Sequence, residues 1–444
     1  MRLARPALPA LLVTGSLTLL AVSLLAGPPS ASADMGTPTF TQWAAPTGLA
    51  GATDAGEPSL GVNGKSGALM YQSYTNTYRV TPKPADGTAT WVNVTPRSSV
   101  LNLDPILATD RTTGRTYAGG LDGECSILSS TDDDGATWNP VGNACAGVLD
   151  HETIGSGAWK GTAPLGATAD RAVYYCAQNS LDACATSATG GLTFGPPVVV
   201  TGACRSLHGH VKVSADGTAY LPNANCGGVA GGAITTDNGG SWTSYTISGS
   251  SKPASGFDPS VATTPDNTLY EAWQGKDNHP MVALSGTHGS TWSTPVDLSS
   301  TVVGLPILNS TYQAVTAGDN GRVAVAFLGS TTGGNAFAAG WGGVWDLYVS
   351  YTYDGGTTWS TVKTTTDPVQ RGYLCAGGTT CTAGRNLLDF MDAGTTKDGR
   401  VVVGYADGCI AACAAADGKA AQSSSSYATI AYQTGGRSLF ASQD

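Results

Sequence analysis

Short apolar runs and polar turn residues alternate along this chain in a repeating unit. Glu57-Pro58-Ser59-Leu60, Asp104-Pro105-Ile106-Leu107, His151-Glu152-Thr153-Ile154, His208-Gly209-His210-Val211, Asp258-Pro259-Ser260-Val261 and Tyr312-Gln313-Ala314-Val315 share one form, a polar residue three positions before an apolar one. A divergent last copy is Leu388-Asp389-Phe390-Met391-Asp392. Turns and β-rich runs follow several copies: Asp216-Gly217 leads to Ala219-Tyr220-Leu221, Asn320-Gly321 to Val323-Ala324-Val325, and Asp398-Gly399 to Val401-Val402-Val403. The first anchors fall roughly 50 residues apart, a spacing that suits four short strands per unit and is too short for most other all-β repeats. No helical period survives past the N-terminus. With 60 glycines, 12% charged and 41% hydrophobic residues, the chain suits many short strands joined by tight turns around a large core.

A second repeat lies between these anchors. Thr131-Asp132-Asp133-Asp134-Gly135-Ala136-Thr137-Trp138 recurs at Thr235 to Trp242 and Thr352 to Trp359, and more weakly at Ser187 to Phe194 and Ser285 to Trp292. In the form Ser/Thr-x-Asp-x-Gly-x-Thr/Ser-Trp, the Asp can accept turn N–H bonds, the Gly can take positive φ, and the Trp packs back between strands. The pattern resembles the Asp-box, or bacterial neuraminidase repeat, of sialidase-like β-propellers. The resemblance implies that the box joins the third and fourth strands of a blade, away from any active site. It predicts an all-β fold, a closed β-propeller of four-stranded antiparallel blades. Seven units are counted; six blades, the number in sialidases, is the alternative. The seventh unit lacks an outer strand at the C-terminal end, and Phe40 to Ala44 is expected to supply it, closing the ring.

Arg2 and Arg5, an apolar run from Ala7 to Ala26, and Ala31-Ser32-Ala33 have the parts of a secretory signal peptide over residues 1–33, with a membrane anchor as the alternative. Residues 34–444 then form a single propeller domain, secreted and extracellular, without a membrane span and expected to be a monomer. Ten cysteines in an exported chain predict five disulfides between sequence neighbours: Cys125–Cys145, Cys176–Cys184, Cys204–Cys226, Cys375–Cys381 and Cys409–Cys413. Ala411 to Ser426 reads as a loop. A net charge of −10 disfavours nucleic acid and anionic membranes as partners. An acidic glycan would have to be met by local cations.

In a propeller the first strand of each blade lines the central channel, so the residues three before the apolar anchors converge at one mouth. They are Glu57, Asp104, His151, His208, Asp258 and Tyr312, with Asp389 or Asp392 from the last unit. Three of only five histidines, His151, His208 and His210, fall at these strand starts. Glycoside hydrolysis is the first chemistry such a set suits, needing a carboxylic acid and a second carboxylate or Tyr. The family resemblance implies a Tyr activated by a Glu, an Asp acid, and three arginines gripping a sialic acid carboxylate. Tyr312 or Tyr373, Glu57 or Glu152, and Asp104 or Asp258 are the candidates, with Arg205, Arg371 and Arg385 as substrate ligands. The Arg-Ile/Leu-Pro motif of sialidases has no counterpart, since the corresponding strand reads Gly56-Glu57-Pro58-Ser59. The hydrolase reading requires no cofactor. A metal-assisted lyase on uronate glycans is the second possibility, with His208, His210, Tyr312 and Arg205 in its roles. The His-x-His spacing predicts both rings on one strand face, suited to a divalent metal at the channel mouth or to an acid/base pair. A non-catalytic propeller binding a glycan or protein is the third, with Trp273 and His279 in a loop beside the mouth.

Overall fold

The computed structural model describes residue 1 and residues 36–444 apart from 99–103, 124, 147–149, 179–180, 252–256, 303 and 416–421. The expected signal peptide lies outside the described residues. From Gly36 to Asp444 the chain is one compact unit, made of seven antiparallel sheets. Ser59–Val62, Leu69–Ser73, Asn76–Lys83 and Thr88–Asn93 form the first blade from the channel outward. The innermost strands of the next six are Pro105–Thr109, Asp150–Ala158, Lys212–Val213, Ser260–Thr263, Asn309–Ala317 and Asp392–Thr395. The fold is therefore the seven-bladed propeller read from the repeats.

The turns show why this sequence makes blades. In the first hairpin of a blade, a Ser or Thr and an Asp two residues on tie the turn together. Ser214 Oγ donates to Asp216 Oδ1 at 2.7 Å, which also accepts from Thr218 N at 3.0 Å. Thr264 and Asp266 repeat this geometry. Between the third and fourth strands, Asp133 Oδ1 accepts from Thr137 N (2.8 Å) and Oδ2 from Thr137 Oγ1 (2.7 Å), while Gly135 N donates to Thr131 Oγ1 (2.9 Å). Asp237 and Asp354 make the same set. The turn takes two successive positive φ values, 54° at Asp134 and 82° at Gly135, which is why the Gly recurs. In the two weaker copies Thr189 and Thr287 stand in for the Asp, accepting from Thr193 N and Thr291 N.

Each box aromatic packs toward the preceding blade. Trp138 Nε1 donates to Val94 O (2.6 Å), Trp242 meets Tyr174 edge-on, and Trp292 stacks on Tyr245. The core is accordingly a set of layers between blades, such as Ile106, Leu128, Ile154 and Tyr175 between the second and third. Thr39–Ala44 pairs antiparallel with Tyr427–Gly435, so the ring closes with strands from both parts of the chain, as the pattern implied. All five disulfides join the expected partners. The segment expected to be a loop contains one helical turn, Ala412–Ala415, next to Cys409–Cys413. No helix among the described residues is long and apolar enough to cross a membrane.

Asp407, at the end of the second strand of the last blade, gives a pH-dependent signature of this packing. Burial pushes its carboxyl up to about 7, with Asp367 adding to the rise and the Cys409 N–H opposing it. A carboxyl whose folded pKa exceeds its unfolded value near 4 holds extra protons in the native state, so stability falls as pH rises from about 4 to 7. Asp407→Asn keeps an oxygen for Cys409 N and removes that cost. It is expected to raise unfolding free energy by about 1–4 kcal/mol at pH 8 and by little at pH 4, as urea titrations at both pH values would read.

Candidate functional site

Backbone strain marks the mouth of the channel. Glu57, His151 and Tyr312 occupy the same offset in three blades, and all three have left-handed φ, 53°, 56° and 56°. His151 and Tyr312 sit where the pairing of their strands slips, between Asp150 and Thr153 and between Thr311 and Ala314. Bulges of this kind re-aim a side chain, and a non-glycine residue holds such a φ only where its surroundings enforce it. Here the segment Leu387 to Phe390 does so, since Glu57 N donates to Leu387 O (3.2 Å) and Tyr312 Oη to Leu388 O (2.5 Å).

Two charge clusters result. In the first, Glu57 shares a hydrogen bond with Asp389, and Arg385 clasps Asp389 with both terminal nitrogens. Burial, then the charges of Asp389 and Asp104, push the Glu57 carboxyl well above its usual range. Asp389 goes the other way: burial would raise it, but Arg385 outweighs burial and holds it low. The two carboxyls are thus pushed apart, Glu57 toward its protonated form and Asp389 toward its ionised one, as expected of two carboxyls sharing a site. Asp104, only partly buried, adjoins both clusters and is itself raised by burial.

In the second cluster His151 Nε2 lies 2.9 Å from Asp258 Oδ2, both side chains under 10% exposed. Burial works against the His151 charge, yet Asp258, seconded by Asp389 and Asp104, lifts it to about 10. His208, its ring 5.2 Å from that of His151, is driven down to about 3 by burial and then by the His151 charge. Its Nδ1 lies 3.0 Å from Gly209 O, and its Nε2 is buried without a hydrogen-bond partner. An imidazolium and a neutral imidazole thus stand side by side.

Glu57, Asp104, His151, His208, Asp258 and Tyr312 are brought together by these contacts and mutual charge effects. His208 and His210 make different contacts. Residues 208–210 precede the inner strand, which begins only at Lys212, and His208 makes an isolated bridge to Asn223. His210 turns instead to Phe390, at 4.6 Å between rings, and to Asp392, at 3.8 Å. Arg385 reaches the mouth but is bound to Asp389. Arg205 is exposed and donates to Cys204 O. Arg371 is 7% exposed and donates from Nε to Cys413 O, in the loop closed by Cys409. Trp273 offers no open ring: it is 1% exposed, inside the strand Leu269–Gln274. His279 pairs with Asp297, an outer-strand residue of its blade, at 2.8 Å. Neither Glu152 nor Tyr312 is poised as a sialidase-type partner; Glu152 turns to Ser126, and burial pushes the Tyr312 phenol well above 10. Among the described residues no three His, Cys, Asp or Glu side chains are grouped to hold a metal ion.

One position of the repeat, Phe390, went unread. Counting back from the apolar position Ala393 puts Phe390, not Asp389, in the seventh slot, so an aromatic ring fills the space a polar group takes in other blades. Asp389 enters from the loop ahead of the strand.

No protein-family model matches the chain, and no curated protein matches it. Among solved structures it is similar to a GH74 enzyme of Niastella koreensis, at 19% identity and a TM-score of 0.48, over 87% of this chain and 55% of that one. It is also similar to the Hadza microbial sialidase Hz136, at 14% and 0.39, over 85% of this chain and 65% of that one. The Aleuria aurantia lectin, in complex with alpha-methyl-L-fucoside, gives 14% and 0.40, over 73% and 94%. The chain thus spans just over half of the GH74 enzyme and about two thirds of the sialidase. The propeller assignment rests on the strand pairing described above.

Proposed function

We propose that this protein is a secreted glycoside hydrolase acting on extracellular glycans by acid–base catalysis at the channel mouth. What carries the reading is the pairing of two carboxyls in opposite environments, Glu57 pushed up by burial and Asp389 held low by Arg385, with partly exposed Asp104 next to them. Hydrolysis of a glycosidic bond needs one carboxyl that is protonated and one that is not, and environments that push two carboxyls apart supply both. Glu57 is the proton store, delivering through its shared hydrogen bond with Asp389 toward a ligand oxygen at the opening. Asp104 is the base. The protonated His151 stabilises negative charge on Asp104 and Asp258 nearby.

Sialic acid is the less favoured substrate of this class. Its carboxylate calls for several arginines with open donors, whereas Arg385 is engaged by Asp389 and Arg205 and Arg371 point elsewhere. A screen of the protein on neutral glycosides, sialosides and uronate polymers, with and without chelator, tests the reading. Turnover of a neutral glycoside that chelator leaves unchanged is the expected result. Chelator-sensitive cleavage of a uronate polymer would replace the hydrolase with a lyase. Binding of a glycan without turnover of any substrate would make the mouth a recognition surface.

A further inference from the structure

Below the carboxyl cluster the channel continues as a cavity of about 280 Å³, walled by inner-strand residues of all seven blades. It extends to the first-hairpin turn of the second blade, where Arg111 and Thr112 are exposed. This chain carries a net charge of −10, yet the cavity wall holds three cations, Arg111, Arg171 and Lys212, against two carboxylates, Asp110 and Asp392. Arg171 is spent on Asp110, which is almost fully buried. Lys212 Nζ stands 4.0 Å from Asp392 Oδ1, beyond hydrogen-bond length. Arg111 donates only to backbone carbonyls, Nε to Thr395 O (3.2 Å) and Nη2 to Thr396 O (2.8 Å), and lies over the Phe440 ring. No carboxylate among the described residues pairs with it. At the far end, His210 lines the cavity with a buried Nε2 that has no hydrogen-bond partner.

We propose that this cavity is a binding site, separate from the mouth, for a small organic anion of at most monosaccharide size. An excess positive charge in one walled space is relieved by an anion, and hydroxyl groups on it suit the polar wall. The volume sits at the lower end of small-ligand sites, which limits the occupant to about one sugar ring. A carboxylate and a phosphate ester satisfy the same donors. The site does not depend on the hydrolase reading, because none of its residues belongs to the Glu57–Asp389–Asp104 group.

Isothermal titration at low ionic strength with glucuronate, glucose 6-phosphate and glucose tests this directly. At least one of the two anions is expected to bind and glucose is not; whichever anion binds identifies the acid group preferred. Lys212→Met and Arg111→Gln are each expected to weaken binding about tenfold or more, the worth of one charge-assisted contact. Glu57→Gln is expected to leave it unchanged, and added salt to weaken it. Lys212 is one-third exposed, so its substitution tests the site even if Arg111→Gln impairs folding. Failure of both anions to bind, binding of glucose as strong as theirs, or binding indifferent to Lys212→Met would overturn the proposal.

Discussion

Glu57→Gln is expected to lower turnover on the substrate found by screening by at least about 10²-fold, with KM nearly unchanged and the unfolding midpoint within about 1 kcal/mol of wild type. Glutamine has the shape of the protonated carboxyl and keeps a donor for Asp389, so the hydrogen bond that stabilises the mouth survives. What disappears is the transferable proton. The pH profile separates this role from a structural one. Activity that requires protonated Glu57 falls as pH rises through its elevated pKa. Burial is the largest cause of that elevation, and the Asp389 charge comes next. Asp389→Asn removes that charge as well as the delivery path, so the activity that remains is expected to be low and to show its alkaline limb at lower pH, a displacement that a merely destabilised protein would not show. If Glu57→Gln retained turnover within a few-fold of wild type, the proton store would lie elsewhere and the acid–base assignment would be wrong.

The blades were legible because the same turn chemistry recurs at each joint. Asp133, Asp237 and Asp354 each need a Thr two residues before and a Gly two residues after to close their hydrogen bonds, and such a constraint shows in one sequence. Convergence at the mouth was also legible, since a fixed offset on seven equivalent strands delivers residues to one ring. Which of them touch was not. His151 pairs with Asp258 across the intervening fourth blade, a contact set by channel width that spacing along a strand does not encode. The last unit left Asp389 and Asp392 as alternatives, and it is Asp389, from the loop ahead of the strand, that meets Glu57. Trp273 was misjudged for a different reason. Both faces of a blade pack on neighbours, so all six residues of Leu269–Gln274 are buried, and the exposed/buried alternation that normally flags an accessible ring is missing.

Deleting residues through Ala44 is expected to weaken the stability and cooperativity of folding, and Trp43→Ala to cost about 3–5 kcal/mol. The strand Thr39–Ala44 clasps three blades rather than one. It pairs along its length with Tyr427–Gly435. Trp43, 5% exposed, stacks on Tyr432 at 4.5 Å and donates to Gly87 O in the first blade at 2.9 Å. Gln42 Nε2 donates to Thr364 O, beyond the outer strand of the sixth blade, at 2.5 Å. Without the strand, the backbone of Tyr427–Gly435 becomes an open sheet edge, free to pair with another molecule. Urea unfolding should show a shallower, earlier transition for the truncated chain, and gel filtration should show self-association. A synthetic peptide of residues 36–45 added in trans is expected to restore the monomer and the midpoint together, because it restores the same edge pairing. A truncated chain that unfolds as a monomer with the wild-type midpoint would mean that closure contributes nothing and that the other six blades hold the ring alone.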